Sequence, residues 1–506
     1  MIKNKTLLFW ILSLLSIVFY FFSRLQNLTI IPVFGDEAIY LRWSQIIKSV
    51  ETLRFIPLTD GKQPLFMWVT VLFFKIVSDP LIAGRLVSVF SGFFTLIFIY
   101  LILLIGQNYS SSQTDFKKFL VESFKKSQIS SFLGVFIYLT STYFFFFDRL
   151  AVPDNLLSSL LTVSLFLLLL ILKFPRFDLA ILLGISLGIS WLTKSPAVYF
   201  ITISLFFLIS KFKIKYLFYF FTVLIFSFTI YNILRLGPQF HQIALRNQDY
   251  IWSLSEIIKH PFDPLLPHVS DIKTLLSTYF NPLFLIIFVS LLIKKIIKKD
   301  FSNFYFYLIL FFWFLAPMLA TAIFAKVFTA RYILFSMPAL TLFFSILILE
   351  LTNRKILLIV LLLQIFPLIL NLKLSTNPMF IQLPSTETGY LQDWTSGWGI
   401  QTASKYLIDR SSQANVIVGT EGYFGTLPDG LQIYTNQKNQ LTVFGVGIGF
   451  EKIPEKLIDA RNHGDEVYLL LNQSRLKLLP QETDKLEIIQ KYLKPKQDYL
   501  ILYRLK

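Results

Sequence analysis

Acidic and basic side chains cluster in a few short segments of an otherwise strongly apolar chain. The segments are Asp36-Glu37, Lys62-Gln63-Pro64, Asp148-Arg149 with Pro153-Asp154, Thr193-Lys194-Ser195-Pro196 and Ala330-Arg331-Tyr332. Lys and Arg can bind a phosphate and stabilise the charge that develops on it as it leaves. A carboxylate can take the proton that an attacking hydroxyl loses. One carboxylate base with several cations therefore suits sugar transfer from a phosphate better than glycoside hydrolysis, which usually uses two carboxylates.

The composition places these segments in a membrane protein. Hydrophobic residues make up 55% of the 506 residues and charged residues only 15%, whereas soluble domains carry about 25% charged residues. The 55 Phe and 23 Tyr are more large side chains than a soluble core could bury. The net charge of +17 does not indicate nucleic acid, because most charges flank apolar runs. We expect the lipid bilayer as a partner and no nucleic acid.

Apolar runs of roughly 17–25 residues indicate transmembrane helices. We identify eleven candidates, some of them shorter: 7–23, 81–105, 131–147, 155–172, 178–193, 196–210, 216–234, 280–293, 304–323, 332–349 and 355–371. Short cytoplasmic loops are rich in Lys and Arg, so the basic loop at 117–126 and others like it predict a cytoplasmic N-terminus. The segments expected outside are 24–80, 148–154, 194–195, 235–279, 324–331 and 372–506. All the charged clusters then lie on the outer face, where function is the default hypothesis.

Two further segments are expected to lie on the outer membrane surface. The run at 64–78 is short and contains Lys75, and counting it as a span would turn the 117–126 loop outward. We interpret it as an interfacial or re-entrant helix. Residues 42–53 have helical apolar spacing and predict a second helix on the same surface. The membrane domain is thus expected at 1–371, with a first outer loop at 24–80.

The tail from residue 372 has shorter apolar runs and more polar residues. It predicts a small extracytoplasmic α/β domain at 372–506. Strands are expected at 415–420, 430–435, 440–447, 466–471 and 497–503, and helices at 398–411, 453–462 and 481–493. Trp394 and Trp398 open this region, where sugar stacking competes with interface anchoring or core packing.

The charged segments resemble motifs of protein O-mannosyltransferases and lipid A aminoarabinose transferases. Asp36-Glu37-Ala-Ile-Tyr40 is similar to their first-loop Asp-Glu motif. The segment Asp60-Gly-Lys62-Gln63-Pro64-Leu65-Phe66-Met67-Trp68 resembles their Lys-Pro-Pro-Leu-x-x-Trp motif, and Asp148-Arg149-Leu-Ala-Val-Pro153-Asp154 resembles Arg-x-x-x-Pro-Asp. The segment Leu192-Thr193-Lys194-Ser195-Pro196 resembles Thr-Lys-Gly-Pro. The stretch from Ala330-Arg331-Tyr332 through Met337-Pro338 resembles their Arg-Tyr…Pro segment. Gln63 stands in place of a Pro, and Ser195 in place of a Gly. Together the motifs cover about residues 7–350.

The resemblance implies a polytopic α-helical membrane protein with the C-type glycosyltransferase fold. It also implies a polyprenyl-phosphate-sugar donor and a site facing away from the cytosol. Asp36 would be the catalytic base, and Glu37 its neighbour. Donor-phosphate ligands would be Lys62, Lys194 and Arg331, and cavity-lining residues Tyr40, Arg149, Asp154 and Tyr332. A divalent metal at Asp36 and Glu37 stays open, as does the acceptor, which could be a lipid, a glycan or a protein. The expected setting is glycosylation of the cell envelope at a prokaryotic cell membrane.

Simpler interpretations stay open for each cluster. Asp36-Glu37 could only cap a helix, Lys62 and Arg331 could snorkel at span ends, and Arg149 with Asp154 could be an ion pair that closes a loop. For the whole chain, the alternatives are a non-catalytic membrane protein and a transporter or flippase for lipid-linked sugars. Transporters often have internal repeats and charges near the bilayer midplane, and the sequence shows neither.

Overall fold

The computed structural model describes residues 2–298, 303–351, 354–436 and 438–506, with side chains from residue 5 onward. By its internal contacts the chain forms two compact units. The first unit comprises Met1–Gln26, Phe55–Phe66 and Leu86–Leu372. The second comprises Asn27–Arg54, Met67–Arg85 and Lys373–Lys506. The expected first outer loop thus contributes to both units, and the functional division at residue 371 stays a prediction.

Helices make up most of the chain as far as residue 376. Their bounds are α1 Ile2–Leu25, α2 Gly35–Ser49, α3 Leu65–Phe73, α4 Pro80–Gly106, α5 Phe116–Ser127, α6 Phe132–Thr140, α7 Thr142–Phe147, α8 Pro153–Lys173, α9 Phe177–Thr193, α10 Ala197–Ile209, α11 Ile214–Tyr231, α12 Gln242–Tyr250, α13 Leu254–Lys259, α14 Leu265–Tyr279, α15 Phe284–Ile297, α16 Phe304–Phe324, α17 Met337–Leu351, α18 Arg354–Leu363 and α19 Ile365–Thr376. Helical segments lie at all eleven predicted apolar runs. The expected interfacial helix at 64–78 is the nine-residue α3, which is too short to cross a bilayer.

Seven helical stretches within the described residues are long and apolar enough to span a membrane. They are Lys5–Leu25, Pro80–Gly106, Pro153–Lys173, Ile214–Leu236, Phe304–Phe324, Ala330–Leu351 and Arg354–Thr376. An eighth results if α14 and α15, which meet at 104°, form one broken span. The apolar helices α9 and α10 have only 17 and 13 residues, short of the roughly 20 that a span needs. The predicted count of eleven is therefore not confirmed.

Small residues let helices of the first unit approach closely. Gly184 and Gly188 lie four residues apart on α9, facing α11. A Cβ atom added at either glycine would lie 2.8 Å from the Cβ atom of Phe226 or Ile230, respectively. Such small-xxx-small spacing is typical of membrane helix pairs, which gain their stability from close van der Waals contact.

The second unit contains a mixed five-stranded sheet and four more helices. Their bounds are α20 Ile400–Ser411, β1 Val416–Thr420, α21 Asp429–Thr435, β2 Leu441–Gly445, α22 Glu455–Asn462, β3 Glu466–Asn472, α23 Pro480–Thr483, β4 Leu486–Leu493 and β5 Tyr499–Leu505. The strand order is β2-β1-β3-β5-β4. Strand β1 pairs in parallel with β2 and β3, and β5 pairs antiparallel with β3 and β4. β3 is buried along almost its whole length, as expected for a central strand covered on both faces.

Two elements of the sheet region differ from the sequence-based prediction. Residues 430–435, expected as a strand, belong to helix α21, where Asp429 stands in the first turn and favours the helix. Residues 481–493, expected as a helix, contain only the four-residue α23 and then β4. Short apolar runs do not distinguish helix from strand, and here pairing with β5 decides the outcome. The other predicted strands and helices of this region are present.

Candidate functional site

The carboxylate pair lies in the first turn of α2, in the second unit. Helix N-termini favour negative charge, and Asp36 and Glu37 both occupy this turn. The Oε2 atom of Glu37 accepts a hydrogen bond of 2.9 Å from the backbone N–H of Phe34, which closes the start of the helix. Glu37 is fully buried, whereas Asp36 is only half-buried. The two neighbouring carboxylates therefore occupy different environments.

Glu37 forms a bidentate ion pair with Arg85, near the start of α4. The Nε and Nη2 atoms of Arg85 donate to the two carboxylate oxygens at 2.9 and 2.8 Å, and both side chains are 0% exposed. The guanidinium also donates to the backbone carbonyls of Leu28, Ile31 and Pro32 at 2.7–3.1 Å. Arg85 thus fixes the segment that leads into α2. Fork-shaped Arg–carboxylate pairs hold their partners in a defined geometry.

Sequence reasoning missed Arg85, although one signal was available. Arg85 is the only charged residue within the apolar run at 81–105, and an ionisable residue inside such a run indicates a specific partner.

The pairing of Arg85 with Glu37 also limits how a metal ion could bind at the carboxylate pair. Because a guanidinium already neutralises Glu37, a divalent metal would have to displace it or bind Asp36 alone. Among the described residues, no group of three or more His, Asp or Glu side chains could hold a metal ion.

In the first unit, a buried polar cluster fixes the entry to α8. The carboxylate of Asp148 accepts hydrogen bonds from Arg24 at 3.2 Å, Tyr138 at 3.1 Å and Asn155 at 2.9 Å. The guanidinium of Arg149 is also buried and donates to the backbone carbonyls of residues 23, 24 and 26 at 2.8–3.2 Å. These bonds join the end of α1 to the loop before α8. Asp148 and Arg149 thus set the position of the residues that follow them.

Asp154 stands in the first turn of α8, directly after Pro153, a residue that suits the first helical position. It is 1% exposed, and its Oδ1 atom accepts a hydrogen bond of 2.6 Å from the Nζ atom of Lys194. Lys194 caps the C-terminal end of α9 in an extended conformation. Its ammonium group lies 4.8 Å from the centre of the Tyr332 ring. The motifs at 148–154, 193–196 and 330–332 therefore meet in the first unit.

Arg331 and Tyr332 lie in the short 3-10 helix Ala330–Ser336 that precedes α17. The guanidinium carbon of Arg331 is 5.3 Å from the Tyr332 ring centre, so that ring contacts two cations. Cations favour the face of an aromatic ring. This arrangement brings the positive charges of Lys194 and Arg331 to one aromatic ring, and Asp154 pairs with the first of them.

Lys62 is positioned by a tight turn after Asp60. Gly61 has a left-handed φ of +65°, and an added Cβ atom would lie 2.7 Å from the carbonyl oxygen of Gln242, so glycine is required. The Nζ atom of Lys62 lies 3.3 Å from the Tyr250 hydroxyl and 4.4 Å from the centre of its ring. These contacts are neutral and leave the positive charge of Lys62 available for an anion. Sequence reasoning did not identify Tyr250.

The two residues that depart from the resembled motifs contact each other. The Nε2 atom of Gln63 donates a hydrogen bond of 2.7 Å to the Oγ atom of Ser195. Each side chain is the neighbour of a predicted phosphate ligand, Lys62 or Lys194. The bond therefore links two cation-bearing loops that are more than 130 residues apart in the sequence. The Pro and Gly of the resembled motifs have no polar side-chain atoms and could not form it.

We predict that Gln63 and Ser195 are energetically coupled. In a double-mutant cycle of Gln63→Ala and Ser195→Ala, the two losses of unfolding free energy should fall short of additivity by about 0.5–1.5 kcal/mol. Unfolding of the purified protein in detergent would measure this. The pair Gln63→Ala and Ser277→Ala is the control, because Ser277 bonds within its own helix. Additive losses in the Gln63–Ser195 cycle would contradict the link.

The structure distributes the predicted site residues over both units. Lys62, Arg149, Asp154, Lys194, Arg331 and Tyr332 lie in the first unit, and Asp36, Glu37 and Tyr40 in the second. Within the first unit, Asp154, Lys194, Arg331 and Tyr332 form one connected group. Tyr40 is 7% exposed and packs against Trp43 on α2. The catalytic and donor-binding roles of these residues stay predictions.

Comparison with known proteins gives structural matches only. No family model and no curated protein matches the chain. The crystal structure of ArnT from Cupriavidus metallidurans bound to undecaprenyl phosphate is similar with a TM-score of 0.59 and 12% identity, over 99% of this chain and 98% of that chain. The apo structure of the same ArnT gives a TM-score of 0.57. The S. cerevisiae Pmt1-Pmt2 protein O-mannosyltransferase complex bound to the sugar donor gives a TM-score of only 0.32 at 16% identity, over 46% of this chain and 34% of that chain. That match is too partial to inform the fold. The chain is thus an integral membrane protein with the fold of the ArnT structures, a C-type glycosyltransferase fold with a small C-terminal sheet.

Proposed function

We propose that the protein is a membrane glycosyltransferase that moves a sugar from a polyprenyl phosphate to an acceptor hydroxyl. The main support is the likeness to ArnT, which extends over 99% of the chain and whose solved structures include one bound to undecaprenyl phosphate. Likeness in fold alone does not fix an activity. The proposal therefore also depends on the cations Lys62, Lys194 and Arg331 and on the carboxylate of Asp36.

The proposed reaction assigns one step to each group. The acceptor oxygen attacks the anomeric carbon of the donor sugar, and Asp36 takes the proton that this oxygen loses. The bond between the anomeric carbon and the phosphate oxygen breaks, and its electron pair leaves on the polyprenyl phosphate. Lys62, Lys194 and Arg331 stabilise that charge. Glu37, held by Arg85, positions the turn that carries Asp36.

The contacts of the three cations suit a phosphate ligand. Lys62 donates a hydrogen bond to the Tyr250 hydroxyl, an uncharged partner. Lys194 is held in place by Asp154, which orients the ammonium group toward a fixed position. Arg331 offers a planar set of donors that matches two phosphate oxygens. A phosphate bound by these three residues would thus contact two ammonium groups and one bidentate guanidinium.

We predict that Arg331→Ala and Lys62→Ala each weaken binding of polyprenyl phosphate by roughly 10- to 100-fold, since a hydrogen bond to a charged group contributes about 1.5–3 kcal/mol. Arg331→Lys should recover only part of the loss, because Lys lacks the bidentate fork. Binding to the purified protein can be measured by titration in detergent. Arg235→Ala, which removes an exposed arginine of the same unit, is the control. Unchanged affinity in both alanine variants would remove these residues from the donor site.

The proposal includes an orientation, with the N-terminus cytoplasmic and the site and C-terminal region extracytoplasmic. The chain has no Cys, so single cysteines at the exposed positions Ser112 and Ser412 can report the side of the membrane. In intact cells, a membrane-impermeant maleimide should label Ser412→Cys and leave Ser112→Cys unlabelled until the cells are lysed. Labelling of Ser112→Cys in intact cells would reverse the orientation.

A further inference from the structure

The second unit contains a cavity of about 550 Å³ that the proposed reaction does not use. It is lined by the C-terminal half of α2, the segment after α3, and helices α20 and α21. Ligand pockets commonly have volumes of about 300–1,000 Å³. Gln45, the lining residue of α2 nearest to Asp36, follows it by nine positions, which is about 14 Å along a helix axis. On the α2 side, the cavity lining thus begins more than two helical turns from Asp36, whereas Tyr434 in the same lining lies within electrostatic reach of Glu37.

The charges of the lining favour an anion. Lys48 and Lys405 both line the cavity and are both exposed. The single acid in the lining is Asp79, whose Oδ1 atom accepts hydrogen bonds from the backbone N–H groups of Leu81 and Ile82 at 2.8 and 3.0 Å. That carboxylate is engaged in capping α4. Two ammonium groups thus face a ligand with little opposition from acid.

The neutral part of the lining suits a polyol. It includes the amides of Gln45, Gln401 and Asn436 and the hydroxyl of Tyr434. The Oδ1 atom of Asn436 accepts a hydrogen bond from Arg42, which orients the amide so that its NH₂ group can donate to a ligand. Burial, together with nearby Asp79, raises the pKa of Tyr434 well above its usual range, so its hydroxyl remains a neutral donor and acceptor.

The apolar part of the lining is formed by Phe74, Val77, Pro80, Ile408 and Ile433, and so includes one aromatic ring. The Phe74 side chain lies beside Lys48, whose Nζ atom is 5.8 Å from the ring centre and donates to the Phe74 carbonyl at 3.3 Å. A flat apolar face next to a cation and several amides can cover one face of a sugar ring while polar groups bind its hydroxyls. Gln45 already donates to the Ile433 carbonyl at 2.8 Å and Gln401 to Asp79 at 3.4 Å. Each of these amides keeps a second N–H, which a sugar hydroxyl can accept and a lipid chain cannot.

We propose that this cavity binds an acidic saccharide, a sugar unit carrying a carboxylate or phosphate, as a remote part of the acceptor. That the ligand is part of the acceptor rests on the proposed function. That the cavity binds an acidic saccharide follows from its lining alone. Lys48 and Lys405 bind the acidic group, and the amides and Tyr434 bind the hydroxyls. Binding a remote part of a substrate can orient its reacting end and raise the rate of transfer.

The test is saccharide binding to the full-length protein, without any donor, in nanodiscs of neutral lipid. A trisaccharide of uronic acids should bind at least about tenfold more tightly than a neutral trisaccharide, as measured by calorimetry. The variant Lys48→Gln with Lys405→Gln should lose about tenfold or more of that affinity. The control is Lys456→Gln with Lys477→Gln, which removes two exposed lysines of the same unit outside the cavity and should leave the affinity unchanged. Unchanged melting temperatures show that each variant is folded.

Three results would overturn the proposal. The first is equal binding of the acidic and neutral sugars, and the second is full binding by the Lys48 and Lys405 double variant. The third is loss of sugar binding when anionic lipid replaces the neutral lipid of the nanodisc, which would make the occupant a lipid headgroup. Because the assay contains no donor, its outcome is independent of sugar transfer. Tight binding without any transfer activity would refute the proposed function alone, and transfer without acidic-sugar binding would refute this inference alone.

Discussion

Asp36→Asn is expected to lower the turnover of sugar transfer by about 10²–10⁴-fold, the range that a positioned general base contributes. Asparagine keeps the shape of the side chain and removes its ability to accept a proton. Binding of polyprenyl phosphate should be largely retained, because the proposed phosphate ligands are Lys62, Lys194 and Arg331. The measurement is the rate at which purified protein transfers labelled sugar from a polyprenyl phosphate, compared with its donor affinity.

The control for this change is Asp409→Asn, an exposed carboxylate on α20 in the same unit. It makes the same chemical replacement and should leave turnover unchanged. Near-wild-type transfer by Asp36→Asn would refute the role of the base, and Asp154 would become the next candidate. A simultaneous loss of donor binding and turnover would instead assign Asp36 to the donor site.

The second large effect is expected at the buried pair of Arg85 and Glu37. Arg85→Met leaves the Glu37 carboxylate buried without its cation, and breaking a buried pair in this way costs about 3–5 kcal/mol. It also removes three hydrogen bonds to the segment before α2. We therefore expect a large fall in the free energy of unfolding, and reduced sugar transfer even at temperatures where the protein stays folded.

The double variant Arg85→Met with Glu37→Gln should recover part of that stability, because it removes the unpaired charge. Arg176→Met is the control, since Arg176 forms an exposed ion pair with Asp178 and should change stability little. Thermal unfolding in detergent would compare the four proteins. Equal stabilities of Arg85→Met and Arg176→Met would show that the Arg85–Glu37 pair does not fix the turn that carries Asp36.

Local patterns in the sequence predicted the type of fold and identified charged motifs that meet in the first unit, whereas the roles of their residues stay predictions. The order of the charged motifs led to the C-type glycosyltransferase fold, which the ArnT structures confirm. The motifs at 148–154, 193–196 and 330–332 do meet around Lys194. A short motif could identify these residues because each stands at the end of a helix whose apolar run is visible in the sequence.

Features that depend on long-range pairing could not be predicted. In the sequence, Gln63 and Ser195 stood out only as two separate departures from the resembled motifs, and nothing indicated the hydrogen bond between them. The buried Arg85–Glu37 pair joins two segments, and nothing local shows which acid an isolated arginine will meet. Residues 486–493 form a strand because β5 lies beside them, whereas their local sequence resembled a helix. The number of spans also depends on packing, since short apolar helices such as α10 need neighbours to cover them.

The most direct test of the proposed function is whether purified wild-type protein, reconstituted in a bilayer, transfers labelled sugar from a polyprenyl phosphate. We predict release of free polyprenyl phosphate and appearance of the label in an acceptor fraction from the cell envelope, with both dependent on Asp36. An acceptor fraction that stays unlabelled while the donor remains intact, in a preparation shown to be folded and to bind polyprenyl phosphate, would contradict the assignment as a glycosyltransferase.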